Sequence, residues 1–269
     1  MTPTKFGFVG LGQMGGPMAA NIAAQGFALT GFDTAGSADL APTGCRAADT
    51  LAEVAGATDT LFLSVPDGPV SISVVGELSE LSERRVTTVI DLTTTGPEHS
   101  REAGRIANDA GLTYIDAPVS GGQAGARAGT VTLMWAGPRA EMERHDAVLK
   151  SFAKNIFHVG EQAGQGQALK VLNNFLSGTA MAATSEAILF GLSQGLDMKT
   201  MLDVINVSTG QNTASRDKFP ERILTGTYDA GFQTALEAKD VKLYLEGVRA
   251  AGTPDRVGAL ISEMWTRCD

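Results

Sequence analysis

A chain of 269 residues with 43% hydrophobic content has enough material for one large or two ordinary globular domains. Its formal net charge of −9 argues against a nucleic acid or an anionic membrane as partner, while leaving room for a small anion held by local positive charge. Two cysteines, Cys45 and Cys268, lie far apart without metal-ligand spacing, and MTPTKFGFVG lacks the apolar core of a secretion signal. Free thiols, no metal and a cytoplasmic location are therefore expected, and no apolar run reaches the about 18 residues of a membrane span.

In chain order, Lys5 to Val9 reads as a short buried strand running into Gly10-Leu11-Gly12-Gln13-Met14-Gly15. A helix follows through Met18 and Ile22 to a stop at Gly26, and a second strand, Ala28 to Phe32, ends in Asp33. This is GxGxxG with a strand before it, a helix after it and an acidic residue about 20 residues on, the context of a dinucleotide site. The first glycine permits the tight turn, the second lets a pyrophosphate approach the backbone, and the third lets helix and strand pack closely. Unpaired amides at the helix start then meet the phosphates. A carboxylate at Asp33 can accept from both ribose hydroxyls and would repel a 2′-phosphate, and no arginine adjoins it, so NAD is favoured over NADP.

Further strands are predicted at Thr60 to Val65, Val86 to Ile90, Leu112 to Asp116, Val131 to Ala136 and Lys154 to Val159, with a helix from Glu98 to about Asp109. Such alternation predicts a parallel, doubly wound sheet that binds ligands beyond the carboxyl ends of its strands. Val65 and Pro66 fall at that edge and are assigned to the cofactor. So does the cluster Thr93-Thr94-Thr95, which reads either as a ligand edge or as a helix cap before Pro97. The stretch from Asp116 to Thr130 holds Ser120 and four glycines, Gly121, Gly122, Gly125 and Gly129. It reads as a loop, either one whose amides converge on an oxyanion or a flexible crossover. His158 is read as structural.

Gly164 to Leu192 reads as one long helix, apolar on nearly all sides and therefore buried. Lys170 and Asn174 stand one turn apart on it, continued by Ser177 and Gly178. A buried ammonium is costly unless paired or deprotonated, so Lys170 is either a proton carrier or a lysine that reaches solvent or a structural carboxylate. Beyond it the pattern is helical, at about Met198 to Val207, Lys218 to Leu224, Thr234 to Ala251 and Asp255 to Trp265. In the third, Phe232, Leu236, Lys239 and Leu243 recur at helical spacing beside Asp240, a pattern that a domain-interface ion pair would also produce.

With these motifs in order, the chain resembles the β-hydroxyacid dehydrogenases, the family of 3-hydroxyisobutyrate dehydrogenase, tartronate semialdehyde reductase and glyoxylate/succinic semialdehyde reductase. FGFVGLGQMGGPMAANI is similar to the family's cofactor fingerprint, DAPVSGGQAGARAGTVTLM to its substrate segment, GQGQALKVLNN to its catalytic helix and GFQTALEAKD to its C-terminal motif. DLTTTGP is similar to the family's Asp-x-Ser-Thr-x-x-Pro, with Thr93 where serine is usual.

The resemblance implies an α/β fold: an N-terminal Rossmann-type doubly wound sheet over residues 1–162, and an all-helical domain over 163–269 that begins with the long connecting helix at about 164–192. It implies Lys170 as catalytic acid/base, Ser120, Gly121 and Gly122 on the substrate carboxylate, and Asn174 orienting the substrate. Thr94 and Lys239 would contact the cofactor, and Phe232 and Asp240 would help close the site between domains. A small carboxylate substrate and a homodimer or homotetramer are implied as partners. The chain ends soon after Trp265, short of the family's usual tail. Alternatives of the same fold are an NADPH-dependent semialdehyde or imine reductase and a non-catalytic NAD-binding scaffold; Lys170 with Asn174 argues against the imine reductase, and Lys170, Ser120 and Asn174 together argue against the scaffold.

Overall fold

The computed structural model describes residues 4–229 and 231–268. Two compact units meet in sequence between Lys170 and Val171. The strands of the first unit are β1 (Phe6–Val9), β2 (Leu29–Phe32), β3 (Cys45–Ala47), β4 (Thr60–Leu63), β5 (Thr88–Asp91), β6 (Thr113–Asp116), β7 (Val119–Ser120), β8 (Val131–Ala136) and β9 (Ala153–Gly160). Its helices are α1 (Gly15–Ala24), α2 (Ser37–Leu40), α3 (Leu51–Ala57), α4 (Gly68–Glu80), α5 (Pro97–Asp109), α6 (Gly122–Ala128), α7 (Arg139–Arg144) and α8 (Asp146–Phe152).

The sheet runs β3-β2-β1-β4-β5-β6-β8-β7, with β9 added beside β8. From β3 to β6 all neighbours are parallel. Strands β1, β4 and β5 are buried at every position, as parallel strands covered on both faces should be. Their side chains alternate between two cores. Phe8 and Phe62 join Met18, Ile22 and Trp135 on one side, and Val9, Leu61 and Leu63 join Val54, Val75 and Tyr114 on the other. The chain reverses direction across the sheet between β1 and β4, which makes their carboxyl ends the switch point at which such sheets bind ligands.

The parallel order expected from the βα alternation holds through β6 and then turns. Asp116 pairs with Ala136, Val119 with Leu133 and Ser120 with Thr132, all antiparallel, and Met134 N–H donates to the Pro118 carbonyl at 3.0 Å. This is one hairpin register, so β6 and β7 act as a single strand broken at Pro118, which has no N–H to give. The stretch read as a glycine loop forms the end of that hairpin and contains α6, so the loop reading is corrected. Small residues there turn a helix against α1, where Asn21 Nδ2 donates to the Ala126 carbonyl at 2.8 Å.

Helix α9 (Gln165–Ser193) begins in the first unit and continues into the second, whose other elements are α10 (Met198–Ile205), a π-helix over Ala214–Ile223, α11 (Thr234–Ala250) and α12 (Arg256–Thr266). Ile188, Leu202, Ala214 and Phe219 form the second unit's core. Phe175 stacks on Tyr244 with centroids 4.0 Å apart, and Trp265 Nε1 donates to the Gly178 carbonyl at 3.2 Å. The π-helix replaces the α-helix expected from Lys218. Pro220 lies inside it, and the wider turn relieves the clash that a proline ring makes with the carbonyl four residues back in an α-helix.

Three further expectations are corrected here. Helix α9 is not buried all round: Leu176, Leu189 and Phe190 are 60%, 66% and 69% exposed. At 29 residues, with mean hydropathy 1.3 over an 18-residue stretch, it is also long and apolar enough to cross a membrane by length and composition alone, contrary to the reading that no such run is present. In α11 the buried stripe is Glu237, Ala238, Val241 and Leu245, with Asp240, not Leu236 and Leu243. A repeat counted from Phe232 is out of phase, because that residue precedes the helix and takes no part in its periodicity.

Candidate active site

The three fingerprint glycines have three different surroundings. Gly10, at φ +89°, leaves β1 at the switch point, where a Cβ would lie 2.2 Å from the Ser64 carbonyl oxygen beyond β4. At Gly15 a Cβ would lie 1.9 Å from the Gly10 carbonyl oxygen, so the first turn of α1 sits directly on the turn. A Cβ at Gly12 would meet nothing within 4 Å. The fold itself therefore requires glycine at the first and third positions, whereas the second faces open space of the kind a pyrophosphate would occupy. Asp33 holds the same turn: its Oδ2 accepts from Leu11 N–H at 2.7 Å and its Oδ1 from Ala35 N–H at 2.8 Å. Each oxygen keeps a lone pair for a ribose hydroxyl.

Around this turn the first unit gathers other residues singled out in the sequence. Gln123 Nε2, in the first turn of α6, donates to Gln13 Oε1, which brings the segment of Ser120, Gly121 and Gly122 beside the fingerprint. Val65 N–H donates to Thr93 Oγ1 at 3.1 Å, joining the ends of β4 and β5. Pro66 is exposed beside it. The threonines do not cap α5, whose N-cap is Gly96 without a side-chain bond. Thr93 and Thr95 are buried, and Thr94 between them is half-buried.

Sequence reasoning missed the buried polar group beneath these loops. Burial pushes the Asp116 carboxyl up to about 6, against the pull of bonds from Gln167 and Gly164. Burial likewise raises Asp91, on which Ser71, Thr93 and Tyr114 donate. The available signal was the polar Gln167 three residues before Lys170 on an otherwise apolar helix. Lys170 itself is buried, with 6% of its surface exposed.

In the second unit, Asn174 Nδ2 donates to Asp240 Oδ2 at 2.6 Å, and Lys239 Nζ lies 3.2 Å from Asp240 Oδ1. Asn174, one turn beyond Lys170 on α9, is thus fixed by α11, and both it and Asp240 are buried. Phe232 is 42% exposed. Among the described residues no group of His, Cys, Asp and Glu is arranged to hold a metal ion.

A family model for the NAD binding domain of 6-phosphogluconate dehydrogenase matches residues 5–160. One for the NAD-binding of NADP-dependent 3-hydroxyisobutyrate dehydrogenase matches residues 164–269. The chain belongs to the β-hydroxyacid dehydrogenase family. Among its relatives, this dehydrogenase is 36% identical to 2-(hydroxymethyl)glutarate dehydrogenase of Eubacterium barkeri over 97% of its own length and 88% of that protein's. It is 34% identical to 3-hydroxyisobutyrate dehydrogenase of Pseudomonas aeruginosa, over 98% and 91%. The solved structure of Mycobacterium tuberculosis 3-hydroxyisobutyrate dehydrogenase with L-serine superposes with a TM-score of 0.92 at 30% identity, covering 99% of this chain and 94% of that one. This β-hydroxyacid dehydrogenase is accordingly an oxidoreductase that acts on CH–OH donors with a nicotinamide cofactor.

Proposed function

We propose that this dehydrogenase uses NAD and oxidises, reversibly, a primary alcohol one carbon removed from a carboxylate-bearing carbon. The names of the three relatives above share that unit, HOCH2–CHR–COO⁻, with different R groups. Lys170 is the proton-transfer group: its neutral amine takes the hydroxyl proton in oxidation, and its ammonium returns it in reduction. A nicotinamide held by the first unit would supply the hydride chemistry. Ser120 Oγ and the backbone of Gly121 and Gly122 hold the substrate carboxylate, and Asn174, fixed by Asp240, orients the hydroxyl. Gly10 to Gly15, Asp33, Val65, Pro66, Thr94 and Lys239 contact the cofactor, and Phe232 and Asp240 complete the substrate site.

The observation that carries this reading is a lysine almost wholly buried on a helix whose next turn presents Asn174, itself bonded to a buried carboxylate. NAD reduction followed by absorbance across a panel of 3-hydroxyisobutyrate, serine, glycerate and 2-(hydroxymethyl)glutarate should find turnover with at least one. Absence of turnover with every one would remove the assignment. In the same assay kcat/KM with NAD should exceed that with NADP by at least tenfold, since Asp33 meets a 2′-phosphate with like charge, and a preference for NADP would reverse the reading of that residue.

Copies of the chain assemble as a homodimer or homotetramer in this proposal, supported by the exposed Leu176, Leu189 and Phe190 of α9. Light scattering at micromolar concentration should give twice or four times the chain mass. A monomer that partitions onto lipid vesicles would instead assign that face to a membrane.

A further inference from the structure

The side chain of Gln167 uses every hydrogen-bonding position it has. Its Oε1 accepts from Thr95 N–H at 2.9 Å and from Gly96 N–H at 3.1 Å, while its Nε2 donates to the Thr93 carbonyl at 2.8 Å and to Asp116 Oδ1 at 2.9 Å. The Thr93 carbonyl and the Thr95 N–H belong to the two peptide groups on either side of Thr94. One buried amide therefore grips both peptides that set the orientation of Thr94.

The other end of the same group is the start of α9. Asp116 Oδ2 accepts from Gly164 N–H at 2.8 Å and Gln167 N–H at 3.1 Å, capturing two of the amides that a helix start leaves unpaired. At Gly166 a Cβ would lie 2.8 Å from the Met134 carbonyl oxygen and 2.9 Å from that of Asp116. The first turn of α9 is thus pressed on the end of the sheet by contact and held there by a carboxylate. Lys170 follows Gln167 by three residues, on the same face of the helix.

We infer that Gln167 is a positioning residue, which with Asp116 locks the Thr94 peptides and the Lys170 turn of α9 into one rigid frame. The inference rests on the reading of Lys170 and Thr94 given above. Bidentate use of the amide makes the polarity of the pair definite. Gln167→Glu leaves at most one shared proton where the amide gave Asp116 Oδ1 and the Thr93 carbonyl one each, and Asp116→Asn sets one amide N–H₂ against another. Combining the two exchanges the roles: the amide introduced at position 116 donates to the carboxylate introduced at position 167, which still accepts from Thr95 and Gly96. Only the bond to Thr93 stays lost.

The test measures kcat, KM for the hydroxy acid and Kd for NAD on Gln167→Glu, Asp116→Asn and the double variant, with Lys170→Ala in parallel. Misplacement by a fraction of an ångström lowers kcat about 10- to 100-fold in each single variant, with KM and Kd within about threefold. The double variant recovers at least tenfold over the worse single one. Losses that simply multiply in the double variant, or kcat within twofold of wild type in both single ones, overturn the inference. If Gln167→Glu does not fold, Gln167→Met, which keeps length without charge, takes its place, and kcat within twofold of wild type overturns the inference. Full activity of Lys170→Ala would instead remove the underlying reading, whatever Gln167 does.

Discussion

Lys170→Ala is expected to lower kcat by about 10²–10⁴-fold, the usual contribution of a positioned proton-transfer group, while Kd for NAD changes by less than about threefold. The separation follows from where the residues sit. The fingerprint turn is built by Gly10, Gly15 and Asp33 without help from α9, so a truncated side chain on that helix leaves the turn intact. Lys170→Arg should fail equally, since a guanidinium stays protonated at any working pH and cannot take a proton from the alcohol. Stopped-flow turnover together with fluorescence titration of NAD measures both quantities. Equal losses in kcat and NAD affinity would mark Lys170 as a structural lysine.

A second large effect separates glycines that the sequence presents as equivalent. Gly10→Ala places a methyl group 2.2 Å from the Ser64 carbonyl oxygen in a backbone conformation at φ +89°. Left-handed strain costs about 1–2 kcal/mol and overpacking about 1–3, so melting should fall by roughly 5–15 °C. Gly12→Ala meets nothing within 4 Å, and the unliganded protein should melt within about 1 °C of wild type. Its NAD affinity should nevertheless fall about 10- to 100-fold, the equivalent of losing one hydrogen bond to a charged group. Differential scanning fluorimetry with and without NAD reads both. Normal NAD binding by Gly12→Ala would show that the open space is not where the pyrophosphate goes.

These contrasts show what could be read in advance and what could not. The fingerprint was legible because backbone geometry restricts its residue types: a positive φ and two sub-contact approaches leave glycine as the only choice, and the strand and helix on either side follow hydrophobic periodicity. Asp33 was legible by spacing for the same reason. The pairing of Asp116 with Gln167 and the threonine run was not, because the partners lie 48 to 74 residues apart in sequence and no local pattern reports such a distance. The reversal at β8 escaped notice because an antiparallel hairpin closed by a short helix has the same order of elements as a crossover. In α11 the error was one of phase: Phe232 matched the helical repeat by number but stands before the first turn. The exposed face of α9 escaped for a different reason, since apolar residues signal contact with something without saying whether it lies within the same chain.

The grip of Gln167 falls entirely on main-chain atoms of the threonine run, the carbonyl of Thr93 and the amides of Thr95 and Gly96. Those three bonds do not depend on which side chain position 94 carries. That makes position 94 a natural point for redesign: a library varied at this one codon leaves each bond of Gln167 with its partner in place.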